Sequence, residues 1–122
     1  MKPQTKVIDL SFLESFTKGN AEKVIFYIKM YLDTAPKLFD ELMRKALEKK
    51  WEEVYLKAHN LKSQVQYVGV VGMKEMLEEV EIIAKEEDKS TLTELVFTAI
   101  KLNNQAIAEL TSYVTSYSFL ES

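Results

Sequence analysis

Apolar side chains recur every three or four residues through most of this chain, and residues that break helices are scarce. The 122 residues include three glycines and two prolines, which is little material for the tight turns of a β-rich fold. Apolar spacings of three and four place side chains on one face of an α-helix. The pattern therefore predicts an all-α protein.

The first two helices are expected from local signals. A short helix over residues 10–17 can be capped by Asp9, and Asn20 can cap the next one. The second helix is expected to run on through Pro36, bent or straight, because its apolar stripe keeps its phase there. Leu38 is placed on the inward face of this helix.

The third helix is expected from Trp51 to Val68, because its apolar spacing alternates between three and four, as in the seam of a bundle helix. A fourth helix follows over 73–87, and a fifth from about 91 to 117. Four long amphipathic helices with short loops pack as an antiparallel up-down-up-down four-helix bundle, with the short first helix as a lid across one end. We predict one bundle domain over 9–118, preceded by a loose arm over 1–8.

Charge and composition exclude several classes of function. The net charge is −3 with a pI of about 5.3, and basic residues are scattered among acidic ones, which argues against binding nucleic acid or a membrane surface. The absence of cysteine and the presence of one histidine argue against disulfides and against a zinc site. With no signal peptide and no apolar run of about 18 residues, a cytoplasmic location is expected.

His59 is the only histidine and the leading candidate for side-chain chemistry near neutral pH. It follows the seam residue Ala58, so its side chain turns about 100° away from the core onto the outer flank of the helix. Lys62 and Gln66 lie on the same flank. A neutral imidazole nitrogen can attack a phosphoryl group, and a cation one turn away favours the approach of that group. By spacing alone, a plain surface histidine is the favoured interpretation, since most exposed polar residues on a helix flank have no special role.

The segment Ala58-His59-Asn60-Leu61-Lys62-Ser63, with Gly69 ten residues after the histidine, resembles the signature of histidine-containing phosphotransfer (HPt) domains, roughly A-H-x-L-K-G. The lid helix, the long second helix and the position of the histidine on the third helix also resemble that family. Two residues depart from the pattern. Ser63 stands where the family usually has glycine, and Gln66 stands where it prefers a small residue.

The resemblance implies a phosphorelay intermediate that is not itself an enzyme. His59 would accept a phosphoryl group from the aspartate of a receiver domain and pass it to another receiver, with Lys62 as charge partner and Gln66 as hydrogen-bond donor to the phosphoryl group. Ser63 would affect how closely the partner approaches the histidine, and Gly69 would be a packing and helix-end position. The chain itself would need no cofactor, since Mg²⁺ belongs to the receiver.

The partners implied by the resemblance are response-regulator receiver domains, a hybrid histidine kinase, or both, and the chain is expected to be a monomer. Apolar residues around His59 would form the docking surface, with Ile8, Phe12 and Phe16 as candidates.

Three other functions are compatible with a helical bundle. A pure protein-interaction module would not need His59. A metal or haem bundle needs Glu-x-x-His pairs, and neither Glu52 nor Glu53 has that spacing to His59. A histidine-kinase dimerisation bundle would have an acidic residue beside the histidine, where this chain has Asn60.

Overall fold

The computed structural model describes residues 7–121 of the chain, with side chains through residue 117. Five α-helices account for most of this part: α1 (Ser11–Phe16), α2 (Ala21–Leu47), α3 (Trp51–Val68), α4 (Met73–Ala84) and α5 (Leu92–Glu121). No strand occurs among residues 7–121, although Ile8 and Val70 form an isolated antiparallel bridge. The all-α prediction is confirmed.

The four long helices form a closed bundle. Helix α2 packs against α3 and α5, and α4 packs against the same two helices, while α1 lies on α3. The connections over 48–50, 69–72 and 85–91 are short, so consecutive long helices run in opposite directions. This arrangement confirms the predicted four-helix bundle with an additional short helix.

The α3 seam lies in the core as its spacing predicts. Val54, Ala58, Leu61, Val65 and Val68 are all buried, whereas Trp51 at the start of the helix is partly buried. On α2 the prediction needs one correction: Phe39 is the buried residue and Leu38 is only partly buried.

Of the two predicted N-caps, the one of α2 is confirmed and the one of α1 is wrong. The Asn20 side chain accepts a hydrogen bond from the Lys23 N–H at 3.1 Å and caps α2, as expected. The N-cap of α1 is Leu10 rather than Asp9, whose carboxylate instead accepts hydrogen bonds from the Ser11 N–H and hydroxyl. Helix α2 continues through Pro36 without interruption.

The start of the described chain is packed rather than loose. The Val7 N–H donates to the Glu109 carboxylate, the Val71 N–H donates to the Val7 carbonyl at 2.8 Å, and Ile8 is buried in the core. Residues 1–6 of the predicted arm lie outside the described residues. None of the helices in the described part of the chain is both long and apolar enough to cross a membrane.

Candidate functional site

His59 lies in the middle of α3 with 58% of its side chain exposed. Its predecessor, Ala58, is fully buried, so the predicted placement of the histidine on the outer flank is correct. The imidazole is not free, because its Nδ1 lies 3.1 Å from Oε2 of Glu81 on α4. One ring nitrogen therefore has a hydrogen-bond partner on the neighbouring helix.

Glu81 joins the site to the core of the bundle. Its side chain is only 10% exposed, and its Oε1 lies 2.7 Å from the Lys62 ammonium on α3. The two oxygens of one carboxylate thus contact both functional candidates of α3. A buried carboxylate needs such partners, because an unpaired charge in the interior is costly.

The electrostatics keep Glu81 and Lys62 ionised at neutral pH. Burial acts to raise the pKa of the Glu81 carboxyl, but hydrogen bonds from Lys62 and His59 outweigh it, and the pKa lies below its ordinary value. The hydrogen bond to Glu81 in turn raises the pKa of Lys62, against the effect of burial. The pair is therefore a carboxylate and an ammonium.

This contact selects one form of the neutral imidazole. An ionised carboxylate only accepts hydrogen bonds, so Nδ1 must carry the ring proton and donate it to Glu81. In a neutral ring, Nε2 then has no hydrogen and presents its lone pair. The exposed ring nitrogen is left as a nucleophile that needs no general base.

Sequence reasoning missed Glu81, although a signal for it exists. The residue lies four positions after Leu77 and three before Ala84, both buried, so it falls at the edge of the apolar stripe of α4. An acidic residue on an inward face is rarely buried without a cation. Combined with the predicted contact between α3 and α4, that rule points to the flank that carries Lys62.

Two further residues lie beside the imidazole. The Tyr55 ring is nearly parallel to that of His59, at 13° with 6.2 Å between ring centroids. The Lys85 ammonium, immediately after α4, lies 4.1 Å from the centroid of the Tyr55 ring. Tyr55 lies four residues, about one turn, before His59 on the same helix, whereas the sequence gives no local signal for Lys85.

The remaining predicted site residues, Ser63, Gln66 and Gly69, follow His59 along α3 and its C-terminal end. The Ser63 hydroxyl, which replaces the family's glycine, donates to the Asn60 carbonyl at 3.1 Å and so folds back onto its own helix. Gln66 is exposed two turns after His59. Gly69 ends α3 in the left-handed conformation at φ +60°, and its carbonyl accepts from the Asp9 N–H at 2.8 Å.

Of the three docking candidates, Phe12 and Phe16 are 44% and 51% exposed, whereas Ile8 is 4% exposed. Ile8 pairs with Val70 and packs into the core, so its inclusion as a docking residue is wrong. Phe12 and Phe16 belong to a set of five neighbouring rings from α1, α2 and α3, which we call the aromatic cluster: Phe12, Phe16, Phe26, Tyr27 and Tyr67.

The site can accept and release a group at one exposed nitrogen. Within residues 7–121, no group of three or more histidine, cysteine, aspartate or glutamate side chains is arranged to hold a metal ion. In the cluster of His59, Glu81 and Lys62, the carboxylate orients the imidazole and holds a cation within one turn of it on α3.

The comparison with protein families agrees with this geometry, because the model of the Hpt domain matches residues 27–111. The chain belongs to the Hpt family. The matched part includes all of α3 and α4, with His59, Lys62 and Glu81, and it confirms the resemblance seen in the sequence. Hpt domains are phosphotransfer modules of phosphorelays and are typically not enzymes themselves. No curated protein and no solved structure gives a significant match to this chain.

Proposed function

We propose that His59 accepts a phosphoryl group from the aspartate of a receiver domain and passes it to the aspartate of another. The observation that carries this proposal is the 3.1 Å contact between Nδ1 and the buried Glu81 carboxylate, which leaves Nε2 exposed as a neutral nucleophile. A bystander histidine would not need a fixed tautomer, and the family of the chain supplies the class of reaction.

The proposed step is a displacement at phosphorus. The Nε2 lone pair forms an N–P bond while the acyl phosphate O–P bond of the donor breaks, and the electron pair leaves with the donor's carboxylate. The proton on Nδ1 stays where it is, and Glu81 stabilises the positive ring that results. In the second transfer an acceptor aspartate attacks the phosphorus, and the N–P electron pair returns to Nε2. The receiver supplies Mg²⁺ in both transfers.

Lys62 contributes a cation beside the reacting nitrogen. Its ammonium donates toward Glu81 at 2.7 Å, and an ammonium has three donors in all, so two remain for phosphoryl oxygens. Gln66 is exposed two turns further along α3, and helix side chains lean toward the N-terminus. We expect its amide to lean back toward His59 and to donate a hydrogen bond to the phosphoryl group.

The aromatic cluster is the surface we assign to receiver docking. Tyr67 lies on α3 eight residues after His59, about 12 Å along the helix axis, and its ring contacts Phe12, Phe16 and Tyr27 at centroid distances of 5.7–5.8 Å. Exposed aromatic side chains beside a reactive group are typical anchors for a protein partner. A receiver docked there would bring its aspartate over His59.

Incubation with a phosphorylated receiver domain tests the proposal. We expect a phosphoryl label on the chain that is stable in base and labile in acid, and we expect His59→Gln to abolish it. Asn60→Gln provides a matched control, because it changes a neighbouring exposed residue outside the cluster and adds no charge. A label that persists in His59→Gln would disprove the assignment, and unlabelled wild-type protein with several receivers would favour the pure interaction module.

Docking is tested separately by Phe16→Ser. The change should raise the receiver concentration needed for half-maximal transfer by about 10-fold, since truncating one exposed aromatic anchor costs about 1–2 kcal/mol, while the rate at saturation stays the same. Phe97→Ser is the control, because Phe97 is similarly exposed but lies on α5. Equal effects of the two changes would place docking elsewhere.

A further inference from the structure

The charges around His59 do not balance once a phosphoryl group is attached. Lys62 and Glu81 form an ion pair at 2.7 Å and largely cancel each other. A phosphoryl group adds about −1.5 to −2 at pH 7. Even with the imidazole counted as a cation, the phosphorylated cluster is negative, and it calls for a further cation.

Lys85 is the cation in a position to supply this charge. Its ammonium lies 4.1 Å from the Tyr55 ring centroid, and that ring lies 6.2 Å from the imidazole. The ammonium is thus within about 10 Å of the imidazole, comparable to the Debye length of about 8–10 Å near physiological salt. Among the side chains that the structure describes, none forms an ion pair with Lys85.

We propose that Lys85, held over the ring of Tyr55, is the residue that compensates the charge of a phosphoryl group on His59. This inference rests on the proposed function of His59. The lysine side chain is exposed and flexible, so it can exchange part of its contact with the ring for one with a phosphoryl oxygen. Tyr55 acts as a positioning residue, because it keeps the ammonium beside the imidazole before the phosphoryl group arrives.

The test uses chemical phosphorylation, so it does not depend on a receiver. Potassium phosphoramidate transfers its phosphoryl group to exposed histidine: Nε2 attacks the phosphorus, the N–P bond to the reagent breaks, and ammonia leaves. The titration of the bound phosphoryl group is then followed by ³¹P NMR in wild type, in Lys85→Gln and in Lys85→Arg. His59→Gln establishes that the signal comes from His59.

We expect Lys85→Gln to raise the phosphoryl pKa by several tenths of a unit, because a nearby cation favours the doubly ionised form. The difference should shrink in 1 M salt, where the Debye length is about 3 Å, and Lys85→Arg should restore the wild-type titration. Lys89→Gln is the matched control, since its ammonium also lies over an aromatic ring, that of Trp51 at 5.8 Å, but Trp51 is the first residue of α3, two turns before His59.

A second variant removes the aromatic ring over which the Lys85 ammonium lies. Tyr55→Leu should shift the phosphoryl pKa in the same direction as Lys85→Gln, and the double variant should add little beyond either change alone. Identical titrations of Lys85→Gln and Lys89→Gln would overturn the proposal while leaving receiver-dependent labelling of His59 intact. Failure of phosphoramidate to label His59 would overturn the exposed nucleophile and this proposal together.

Discussion

At the scale of single residues, the orientation of the His59 imidazole depends on one carboxylate from a neighbouring helix. Glu81 holds Nδ1 of His59 at 3.1 Å and the Lys62 ammonium at 2.7 Å. Because Glu81 is buried, its own position is set by the packing of α3 against α4. The tautomer of an exposed ring is thus fixed from inside the bundle.

Glu81→Gln is expected to slow phosphoryl transfer to His59 by at least about 10-fold. The reason is that an amide can accept from Nδ1–H or donate to a bare Nδ1, so the tautomer is no longer fixed. The magnitude follows from metal-bound histidines, where removal of the orienting carboxylate typically lowers metal affinity or activity by about 10- to 100-fold. Nitrogen NMR shifts of the imidazole should show a mixture of tautomers. Glu79→Gln, an exposed change two residues earlier on α4, should leave both readouts unchanged.

The acid dependence of stability should also report on Glu81. Its folded pKa lies below the ordinary value of 4.5, so its contribution to the free energy of unfolding is present above pH 4.5 and is lost as the pH falls through the folded pKa. Urea unfolding at several pH values from 6 to 2 should therefore show a steeper loss for wild type than for Glu81→Gln. Parallel curves for the two proteins would contradict the lowered pKa.

Gly69 is required by both its backbone conformation and a close contact. Its φ is +60°, and a Cβ there would overlap the carbonyl oxygen of Asp9. Gly69→Ala should lower the free energy of unfolding by more than about 2 kcal/mol, because left-handed strain of about 1 kcal/mol adds to the displacement of the N-terminal segment. Gly72→Ala shares the positive φ, but nothing lies within 4 Å of the added Cβ. It should cost about 1 kcal/mol, and equal losses would refute the steric role of Asp9.

At the scale of elements, helix α2 is held together by its buried face rather than by local preference. Pro36 lies within the helix and lacks the N–H that a helix interior uses. Helix α2 nevertheless runs unbroken from Ala21 to Leu47, a total of 27 residues. The buried neighbours Ala35 and Phe39 anchor the segment on both sides of the proline. The apolar stripe therefore outweighs the helix breaker.

Pro36→Ala should raise the free energy of unfolding by about 1–2 kcal/mol. The change restores a backbone donor in the helix interior, and its gain is partly offset because the unfolded chain becomes more flexible. Urea unfolding monitored by circular dichroism measures the effect. Lys37→Ala, an exposed change at the next position, should alter stability by less than about 0.5 kcal/mol. A destabilised Pro36→Ala protein would show that the proline fits a bend that the helix needs.

At the scale of the whole molecule, a buried hydrogen bond fixes how α2 and α5 face each other. The Tyr31 hydroxyl donates to the Asn103 side-chain oxygen, and both residues are buried. Burial raises the pKa of Tyr31 well above its ordinary value, so the hydroxyl keeps its proton and stays a donor. This contact links two helices that are far apart in the sequence and adjacent in the bundle.

Tyr31→Phe should lower the free energy of unfolding by about 1–3 kcal/mol, because it leaves the Asn103 side chain buried without its donor. The double change Tyr31→Phe with Asn103→Leu should recover part of this loss, since no polar group is then left unpaired. Thermal and urea unfolding of the two variants measure the difference. A double variant less stable than Tyr31→Phe would mean that packing at Asn103, not pairing, dominates.

Much of the fold could be predicted because helical periodicity is a local property of the chain. The bounds of α3 matched the prediction at both ends, and the exposed flank of His59 followed directly from the buried position of Ala58. Helix ends were less accurate where no glycine marks them: α4 ends at Ala84, three residues before the expected end. Leu38 was placed on the inward face instead of Phe39 because both lie three or four residues from Ala35 and Leu42, so spacing alone does not separate them.

The sequence by itself determined the helices and the bundle class, because these depend on spacing within one element. It also singled out His59 as the candidate site residue, because a short local motif surrounds it. Only the tertiary structure decided that Glu81 reaches His59 and Lys62, that Lys85 lies over Tyr55, and that Ile8 is buried while Phe12 and Phe16 are exposed. The physical reason is that each of these contacts joins two segments whose relative rotation and axial register are set by core packing. No spacing within a single helix encodes that register.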